Sequence, residues 1–448
     1  MSVASSSAEP TEPSDGSGLT RSLRQRHLTM IAMGGIIGAS LFIGSGAVIH
    51  TVGPAAVISY ALGGLLVVFV MRMLGEMATA RPALGSFMEY AREGIGPGAA
   101  FVVGWLYWYY WVSVVAFEAV AGGEILHGWL PQVPQWCFAL LLMVLLTGNN
   151  LISTRSFGEA EFWLASIKVA TIVVFLVVGV LFVLQLWPGA NPAGVHFADG
   201  GFFPNGGFAV IHGGVIVIFS YFGTEIVTMA AAESAEPAKA VARATVTVVW
   251  RVLLFYVGSV LLLLLITPWQ QIPDQTSPFA AAFGRFGLPG AERVMEVVVL
   301  TAALSVLNSG MYTASRMLFA LRKHGWAPKG INELSRRQVP WKAILLSTVL
   351  GYVAVVMSYV SPDRIFYFII NSAGAVALFV YAIITASQLR LRRKIEREDP
   401  SALSLKMWFH PWLSWLTLIG IAAVLVSMAV VEETRSQLLL SMISFAVI

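Results

Sequence analysis

Long apolar stretches, each about as long as a bilayer is thick, alternate with short polar segments along almost the whole chain. About 20 apolar residues in a helix cross the hydrocarbon core of a membrane. A twelfth stretch begins near Gln437 and stops at Ile448, too short to span, and this suggests truncation of a longer chain. The eleven complete stretches, numbered here as spans 1 to 11, cover residues 29–50, 53–77, 99–127, 135–152, 160–187, 207–232, 245–267, 291–320, 342–360, 364–388 and 411–431. The pattern predicts an all-α integral membrane protein with about 12 transmembrane helices.

Spans 1 and 6 are each interrupted by glycine near the middle. Span 1 contains Gly34-Gly35-Ile36-Ile37-Gly38-Ala39-Ser40, and span 6 contains Phe219-Ser220-Tyr221-Phe222-Gly223-Thr224-Glu225. Non-helical backbone at membrane depth is tolerated only where it faces protein or a cavity. Two interrupted spans in corresponding positions indicate the binding site of a transporter. Each opens a block of five spans, so we expect an inverted 5+5 repeat over about 28–187 and 207–388, followed by extra helices at about 411–448.

Composition and charge set the environment and the orientation. The chain is 57% hydrophobic and 12% charged, with a mean hydropathy of +0.77, which excludes an ordinary soluble protein. Most of the 28 lysine and arginine residues lie on the N-terminal flank and in the loops that follow spans 2, 4, 6, 8 and 10. Arg251 is counted in the loop after span 6 and Arg316 in the loop after span 8. The positive-inside rule therefore predicts a cytoplasmic N-terminus. Residues 1–20 are expected to form a disordered cytoplasmic tail, and residues 21–448 a transmembrane transporter domain.

Several classes of function find no support in the sequence. The single cysteine, Cys137, excludes an internal disulfide. No metal-ligand cluster, nucleophile–base set or phosphate-binding loop is visible, so an enzyme and an ATP-driven pump are disfavoured. The net charge of +4 is explained by the cytoplasmic loops and requires no nucleic acid. We expect a secondary transporter that needs no cofactor besides a proton gradient, with a lipid bilayer around it; the oligomeric state is left open.

The interrupted part of span 1 is the candidate carboxylate site. The amides of Gly38, Ala39, Ser40 and Leu41 would begin the outer half-helix, whose positive dipole end suits an anion. The preceding Gly35 and Ile37 complete the candidate set in this span. Close helix packing through small residues is the alternative interpretation. The Ser40 hydroxyl could contact the substrate or bond to its own backbone.

The interrupted part of span 6 is the candidate site for an ammonium group. The carbonyls around Phe219, Ser220 and Tyr221 end a half-helix and could accept it. The rings of Phe219 and Phe222 could close over a substrate, or they could merely pack. Gly223 follows them and completes the break.

Ionisable groups inside a membrane are expensive and are usually functional. Lys168 is predicted to be the only basic side chain well inside a span. Burial lowers the pKa of a lysine, so such a residue can exchange protons near neutral pH. A permanent ion pair with a span 3 or span 6 glutamate is the alternative. Glu225 and Glu118 are further candidates for proton coupling, although Glu118 could equally form a structural hydrogen bond. Glu233, in contrast, is predicted to lie at the cytoplasmic surface.

Span 8 carries polar residues on an apolar background. Ser305 and Asn308 could line the substrate pocket or hydrogen-bond to other helices. The second role is the more common one for such residues.

Several stretches of the chain form a pattern spread over nearly the whole membrane region. They are Gly35-Ile36-Ile37-Gly38-Ala39-Ser40-Leu41-Phe42, Gly104-Trp105-Leu106-Tyr107-Trp108, Glu161-Phe162-Trp163-Leu164-Ala165, Gly223-Thr224-Glu225-Ile226-Val227-Thr228-Met229-Ala230-Ala231-Ala232-Glu233-Ser234, Tyr312-Thr313-Ala314-Ser315-Arg316-Met317-Leu318 and Met407-Trp408-Phe409-His410-Pro411-Trp412-Leu413. With these stretches the chain resembles the amino acid permeases of the amino acid–polyamine–organocation superfamily. The Ala39-Ser40 pair and the run Ala230-Ala231-Ala232-Glu233-Ser234 favour a resemblance to the bacterial 4-aminobutyrate (GABA) permeases among them.

The resemblance implies a leucine-transporter-type fold and proton-coupled uptake, with the substrate held between the breaks of spans 1 and 6. It places Lys168 near the position of a sodium ion in sodium-driven relatives, and it matches Glu225 to a Gly-x-Glu of the family. We therefore predict a proton symporter that imports a small zwitterionic amino acid, with 4-aminobutyrate as the expected substrate, in a bacterial-type plasma membrane. The alternatives are a permease for aromatic amino acids, basic amino acids or β-alanine, an amino acid exchanger, and a nutrient sensor that no longer transports.

Overall fold

The computed structural model describes residues 23–34, 37–83, 85–190, 200–233, 236–272, 277–360, 373 and 375–447, and over these residues the chain forms helices and no β-strand. The tail predicted for residues 1–20 lies outside them. The α-helices are α1 Gln25–Gly34, α2 Ala39–Phe42, α3 Gly44–Val52, α4 Ala56–Ala80, α5 Phe87–Gly94, α6 Pro97–Trp129, α7 Gln135–Ile152, α8 Thr154–Val183, α9 Phe208–Tyr221, α10 Ile226–Ala232, α11 Pro237–Arg251, α12 Ser259–Ile266, α13 Pro278–Arg285, α14 Ala291–Lys323, α15 Trp341–Val360, α16 Val376–Glu398, α17 Trp412–Val430 and α18 Glu432–Val447.

Eight helical runs in the described chain are long and apolar enough to cross a membrane. The run Ser40–Ala80 combines the outer part of predicted span 1 with span 2, and Trp341–Met357 is a shorter apolar helix at predicted span 9. Predicted span 10 lies partly outside the described residues, and its helix α16 continues to Glu398. The basic residues of 390–397, predicted to be in a loop, are therefore helical.

The two longest helices, α6 and α14, form the centre of the structure. Each has 33 residues, and they pack along one another. Helices α7, α8 and α15 pack around this pair, while α4, α9 and α11 form a second group. Close packing depends on small residues where backbones meet: a methyl group added at Gly123 of α6 would lie 3.0 Å from the backbone nitrogen of Ala139 in α7.

Both of the predicted helix breaks are present. In span 1, α1 ends at Gly34 and α2 begins at Ala39. In the outer half of span 1, α2 and α3 are separated only by Ile43, and both belong to the helical run that continues from Ser40. In span 6, α9 ends at Tyr221 and α10 begins at Ile226. Gly223 between them has a φ of 105°, a conformation that side chains with a Cβ rarely adopt, so glycine is required there.

Span 7 differs from the prediction in both its helix type and its charge. Between α11 and α12 the residues Val252–Gly258 form a π-helix. Arg251, the last residue of α11, was assigned to a cytoplasmic loop, but it lies within the apolar run Lys239–Ile266 and its side chain is only 2% exposed. Lys168 is therefore not the only basic side chain well inside a span.

A buried ion pair joins the end of span 6 to α14. Glu233 was predicted to be at the surface, and Arg316 in a loop, but their side chains are 1% and 2% exposed. The Arg316 Nε lies 2.9 Å from the Glu233 Oε1, and Tyr312 donates to the same oxygen at 3.0 Å. Both predictions failed because the pair neutralises and hydrogen-bonds the two charges, which allows them to leave the surface.

Outside the spans, the short helix α5 is attached to the end of α14. The Glu89 carboxylate contacts the His324 ring and accepts a hydrogen bond from Arg92 at 2.9 Å. Partial burial raises the pKa of Glu89, but the bonds from His324 and Arg92 outweigh it and hold that pKa below its ordinary value.

The buried pair predicts a difference between two neighbouring glutamates. Glu233→Ala leaves the Arg316 guanidinium buried without its carboxylate, so we expect it to cost about 3–5 kcal/mol of the free energy of unfolding. Glu236→Ala removes an exposed partner of Lys239, and no measurable loss is expected. Thermal unfolding of both variants in the same detergent is the measurement. Equal midpoints would show that the buried pair adds nothing to stability.

Candidate functional site

The break in span 6 is stabilised by hydrogen bonds from nearby side chains. The Gly223 amide lies 3.1 Å from each carboxyl oxygen of Glu225. The Thr224 hydroxyl donates to the Tyr221 carbonyl at 2.6 Å, and the Tyr256 hydroxyl donates to the Ser220 carbonyl at 3.2 Å. The carbonyls predicted to accept an ammonium group therefore already accept one hydrogen bond each, with a second lone pair remaining.

Glu225 is fully buried and is held by two tyrosines from other helices. Tyr107 of α6 donates to its Oε1 at 3.0 Å, and Tyr381 of α16 donates to its Oε2 at 3.3 Å. The carboxyl group thus faces the protein interior at the break, where the sequence places it. It also connects three helices at the point where span 6 has no helical hydrogen bonds.

Lys168 is fully buried between α8 and α14. Its ammonium group donates to the Ser305 hydroxyl at 2.8 Å, rather than to Glu225 or Glu118. The Ser305 hydroxyl in turn donates to Oε1 of the buried Glu161. An ammonium, a hydroxyl and a carboxylate therefore form one hydrogen-bonded chain.

Glu161 was not among the predicted coupling residues. It lies seven residues before Lys168, a spacing that puts both side chains on one face of a helix. That spacing was the signal in the sequence. It was missed because Glu161 lies near the predicted beginning of span 5, where a glutamate usually reaches the surface.

Asn308 continues the polar contacts of α14. Its amide donates to the Glu161 Oε2 at 3.3 Å. Its carbonyl oxygen accepts from Asn149 at 3.1 Å and from Asn150 at 3.0 Å, both near the end of α7. In this conformation Asn308 and Ser305 make contacts between helices.

Several contacts join α8 to α14 along one face of each helix, and we refer to four of them, each between a different pair of residues, as the α8–α14 seam. Arg316 donates to Thr154 at 2.9 Å. The Phe157 and Tyr312 rings stack with centroids 4.1 Å apart and planes at 3°. The seam is completed by two of the polar pairs described above, Glu161 with Asn308 and Lys168 with Ser305.

Glu118 lies beside the candidate carboxylate site in span 1. Its Oε1 is 3.6 Å from the place that a Cβ of Gly38 would occupy, and Val306 is closer, at 3.1 Å. The other oxygen, Oε2, is buried and has no hydrogen-bond partner among the described residues. An ionised Glu118 would repel a substrate carboxylate at this position, whereas a protonated one would not. Glu118 is therefore a buried carboxyl group beside the segment predicted to hold the substrate carboxylate.

Aromatic rings surround the break in span 6. The Phe222 ring contacts Tyr110 and Tyr381, with centroids 4.4 and 5.1 Å apart. Phe219 also packs on Tyr110, at 6.1 Å. In this conformation the two phenylalanines are packing residues, and Phe222 is only 4% exposed.

The remaining predicted residues lie near the same place. The Ser220 hydroxyl donates to the Ile216 carbonyl at 3.2 Å, and its oxygen also lies 3.5 Å from the Ser40 carbonyl oxygen, so the two breaks are in contact. Ile37 and Leu41 are fully buried. Ala39 begins α2, while Gly35 lies outside the described residues. The two interrupted spans are therefore neighbours, as the glycine pattern predicted.

A sequence model of the amino acid permease family matches residues 27–447. The chain belongs to the amino acid permease family. It is 50% identical to the gamma-aminobutyric acid permease of Bacillus subtilis over 95% of this chain and 91% of that protein. It is 44% identical to the gamma-aminobutyric acid permease of Escherichia coli over 91% of this chain and 88% of that protein, and 39% identical to an aromatic amino acid transport protein of Corynebacterium glutamicum over 94% and 92%.

This membership confirms several predictions made from the sequence. The permease is an all-α, multi-pass membrane protein that transports amino acids, and it is not an enzyme.

The space around Gly38 predicts the effect of enlarging it. In Gly38→Val the side chain would meet Val306 and Glu118, so the segment would have to move away from the site. We expect uptake of amino acid to fall roughly 100-fold, because displacements of about 1 Å can have such effects. Uptake into cells, normalised to the amount of permease in the membrane, is the measurement.

Gly44 supplies a matched control for this substitution. A Cβ at Gly44 meets nothing within 4 Å, although the residue lies in the same span. Gly44→Val is therefore expected to transport like the parent. Normal uptake by Gly38→Val, or equal losses in both variants, would contradict the assignment of the span 1 break to the site.

Proposed function

We propose that this permease is a proton symporter that imports 4-aminobutyrate, located in a bacterial-type plasma membrane with its N-terminus in the cytoplasm. The chain of Lys168, Ser305 and Glu161 is the observation that carries the proposal, because it provides buried groups that can exchange a proton beside the two broken spans. The distribution of lysine and arginine supports the orientation. Two of the relatives are gamma-aminobutyric acid permeases, which supports this substrate.

The substrate is proposed to lie between the breaks. Its carboxylate would bind the amides of Gly38–Leu41, and its ammonium would bind the carbonyls near Ser220. The contact between Ser220 and Ser40 supports this arrangement, since it shows that the two segments are close enough to hold the two ends of one small molecule.

Coupling is proposed to act through Lys168. When charged, the ammonium is satisfied by Ser305 and, through it, by the Glu161 carboxylate. When the proton leaves, this polar contact weakens, which favours opening towards the cytoplasm. Glu118 and Glu225 are the next candidates, because both are buried carboxyl groups at the two breaks.

An aromatic amino acid is the second candidate substrate. One relative is named an aromatic amino acid transport protein, and Tyr110, Phe219 and Phe222 provide aromatic surface at the break. An amino acid exchanger would need no proton relay, and it would require preloaded substrate.

Competition for uptake of labelled 4-aminobutyrate tests the substrate. Because the two charges of this substrate are separated by three methylene groups, β-alanine and five-carbon ω-amino acids are expected to compete better than leucine or lysine. Stronger inhibition by phenylalanine or tyrosine would favour the aromatic candidate instead. The assay uses proteoliposomes, so that other permeases of the cell do not contribute.

Substitution of Lys168 tests the coupling. Lys168→Ala is expected to lose accumulation driven by an inward proton gradient while keeping some substrate binding. Lys168→Arg should also fail to accumulate, because arginine remains charged. Uptake into proteoliposomes with and without the gradient is measured beside binding to the same protein. Accumulation by Lys168→Arg equal to that of the parent would show that the lysine is only a structural cation.

Ser305→Ala tests the hydrogen-bonded chain separately from the charge of Lys168. It removes the hydroxyl between Lys168 and Glu161 and leaves both in place, so we expect gradient-driven accumulation to fall while exchange of substrate persists. Ser309→Ala, four residues further on, is the control, because the Ser309 hydroxyl is buried and has no hydrogen-bond partner among the described residues. Equal behaviour of the two variants would argue against the relay.

A further inference from the structure

Arg251 is a buried guanidinium for which the described part of the chain provides no hydrogen bond. The side chain is 2% exposed, and Nε, Nη1 and Nη2 are all without a partner there. The equally buried Arg316 differs, since it bonds to Glu233 and Thr154. An arginine stays protonated in proteins, so burial of Arg251 is costly unless an anion reaches it.

The surroundings of Arg251 connect it to the break in span 6. It lies within electrostatic range of the Glu225 carboxyl group and of Tyr221, Tyr256 and Tyr381. Tyr381 is also one of the two tyrosines that donate to Glu225. Lys168 is in electrostatic range of Arg251 as well, so the guanidinium adds to the positive charge near the breaks.

The backbone next to Arg251 is unusual. The π-helix Val252–Gly258 begins at the following residue, and π-helical turns are frequent at functional sites. Within this turn, Tyr256 donates to the Ser220 carbonyl at the end of α9. The π-helix therefore attaches span 7 to the break, with Arg251 at its beginning.

We propose that Arg251 is a carboxylate receptor beside the break in span 6, used during the transport cycle. A guanidinium holds a carboxylate through two parallel hydrogen bonds, which suits it to this role better than any other side chain. The carboxylate has two possible sources, the side chain of Glu225 after it leaves Gly223 and its tyrosines, and the substrate as it passes. The proposal rests on the proposed passage of an amino acid between spans 1 and 6, and it requires neither 4-aminobutyrate nor a proton.

The stability of neutral variants separates this role from a packing role. If a buried charge stabilises the fold, its removal lowers the stability. An unpaired buried charge, in contrast, can be replaced by an apolar side chain of similar size without loss of stability. Arg251→Met and Arg251→Gln are therefore expected to keep the thermal midpoint of the parent in detergent. Arg251→Lys keeps the charge and loses the two-pronged geometry.

Transport is then measured in proteoliposomes with labelled 4-aminobutyrate, as uptake and as exchange against preloaded substrate. We expect both rates to fall at least tenfold in Arg251→Gln and Arg251→Met, and less in Arg251→Lys. Arg243→Gln is the control, because Arg243 lies on the same helix α11 and is exposed. It should transport like the parent.

Combination with Glu225→Gln identifies the source of the carboxylate. If Glu225 is the ligand, the double variant Arg251→Gln/Glu225→Gln is no slower than the slower single variant. If the substrate is the ligand, the two losses multiply. Arg251→Gln then also weakens competition by 4-aminobutyrate more than competition by 4-aminobutanamide, which lacks the carboxylate. Either result supports the receptor.

Three results would overturn the proposal. Arg251→Gln and Arg251→Met could transport like the parent, all three variants could lose the fold, or transport could fall only in proportion to a loss of thermal stability. If the parent does not carry 4-aminobutyrate, the proposed substrate fails by itself. The ratios of variant to parent are then measured with labelled phenylalanine or asparagine.

Discussion

The structure depends on the requirement that every backbone polar group inside a membrane must find a partner in the protein. Span 6 interrupts its helical hydrogen bonding over Gly223–Glu225, and side chains bond to the backbone there. Glu225 accepts from the Gly223 amide, Thr224 donates to the Tyr221 carbonyl, and Tyr256 donates to the Ser220 carbonyl. The tyrosines that hold Glu225 extend this arrangement to α6 and α16. The polar residues around the break are therefore needed for the backbone before they serve any substrate.

The helix breaks could be predicted because the glycines that cause them can be seen directly in the sequence. Gly223 interrupts an apolar stretch whatever the rest of the chain does, so it can be recognised without knowing the tertiary contacts. The structure has the break within two or three residues of the predicted position. The contact between the breaks agrees with the family resemblance, which implied a substrate held between spans 1 and 6. The exact hydrogen bonds of Lys168 could not be predicted, since Ser305 is 137 residues away and its partner depends on how α8 and α14 pack.

The failures concern buried charge. Arg251 and Arg316 were assigned to cytoplasmic loops, because counting lysine and arginine treats each residue as if it were alone. Glu233 was assigned to the cytoplasmic surface because polar residues and a proline follow it. The Arg316–Glu233 pair shows why residues cannot be treated separately. Two opposite charges that bond to each other can be buried at a lower cost in free energy than either charge without its partner. Hydropathy alone does not identify such pairs, because the partners come from helices distant in sequence.

The α8–α14 seam has a mechanical consequence. Its contacts occur at Thr154, Phe157, Glu161 and Lys168 on one helix and, in reverse order, at Arg316, Tyr312, Asn308 and Ser305 on the other. A stacked ring pair and directional hydrogen bonds resist sliding, so we expect α8 and α14 to move together as one rigid unit. A motion that opens a path to the substrate site must then occur where other helices move relative to this unit. The broken spans, each divided into shorter helices at its break, are the segments that we expect to hinge against this unit.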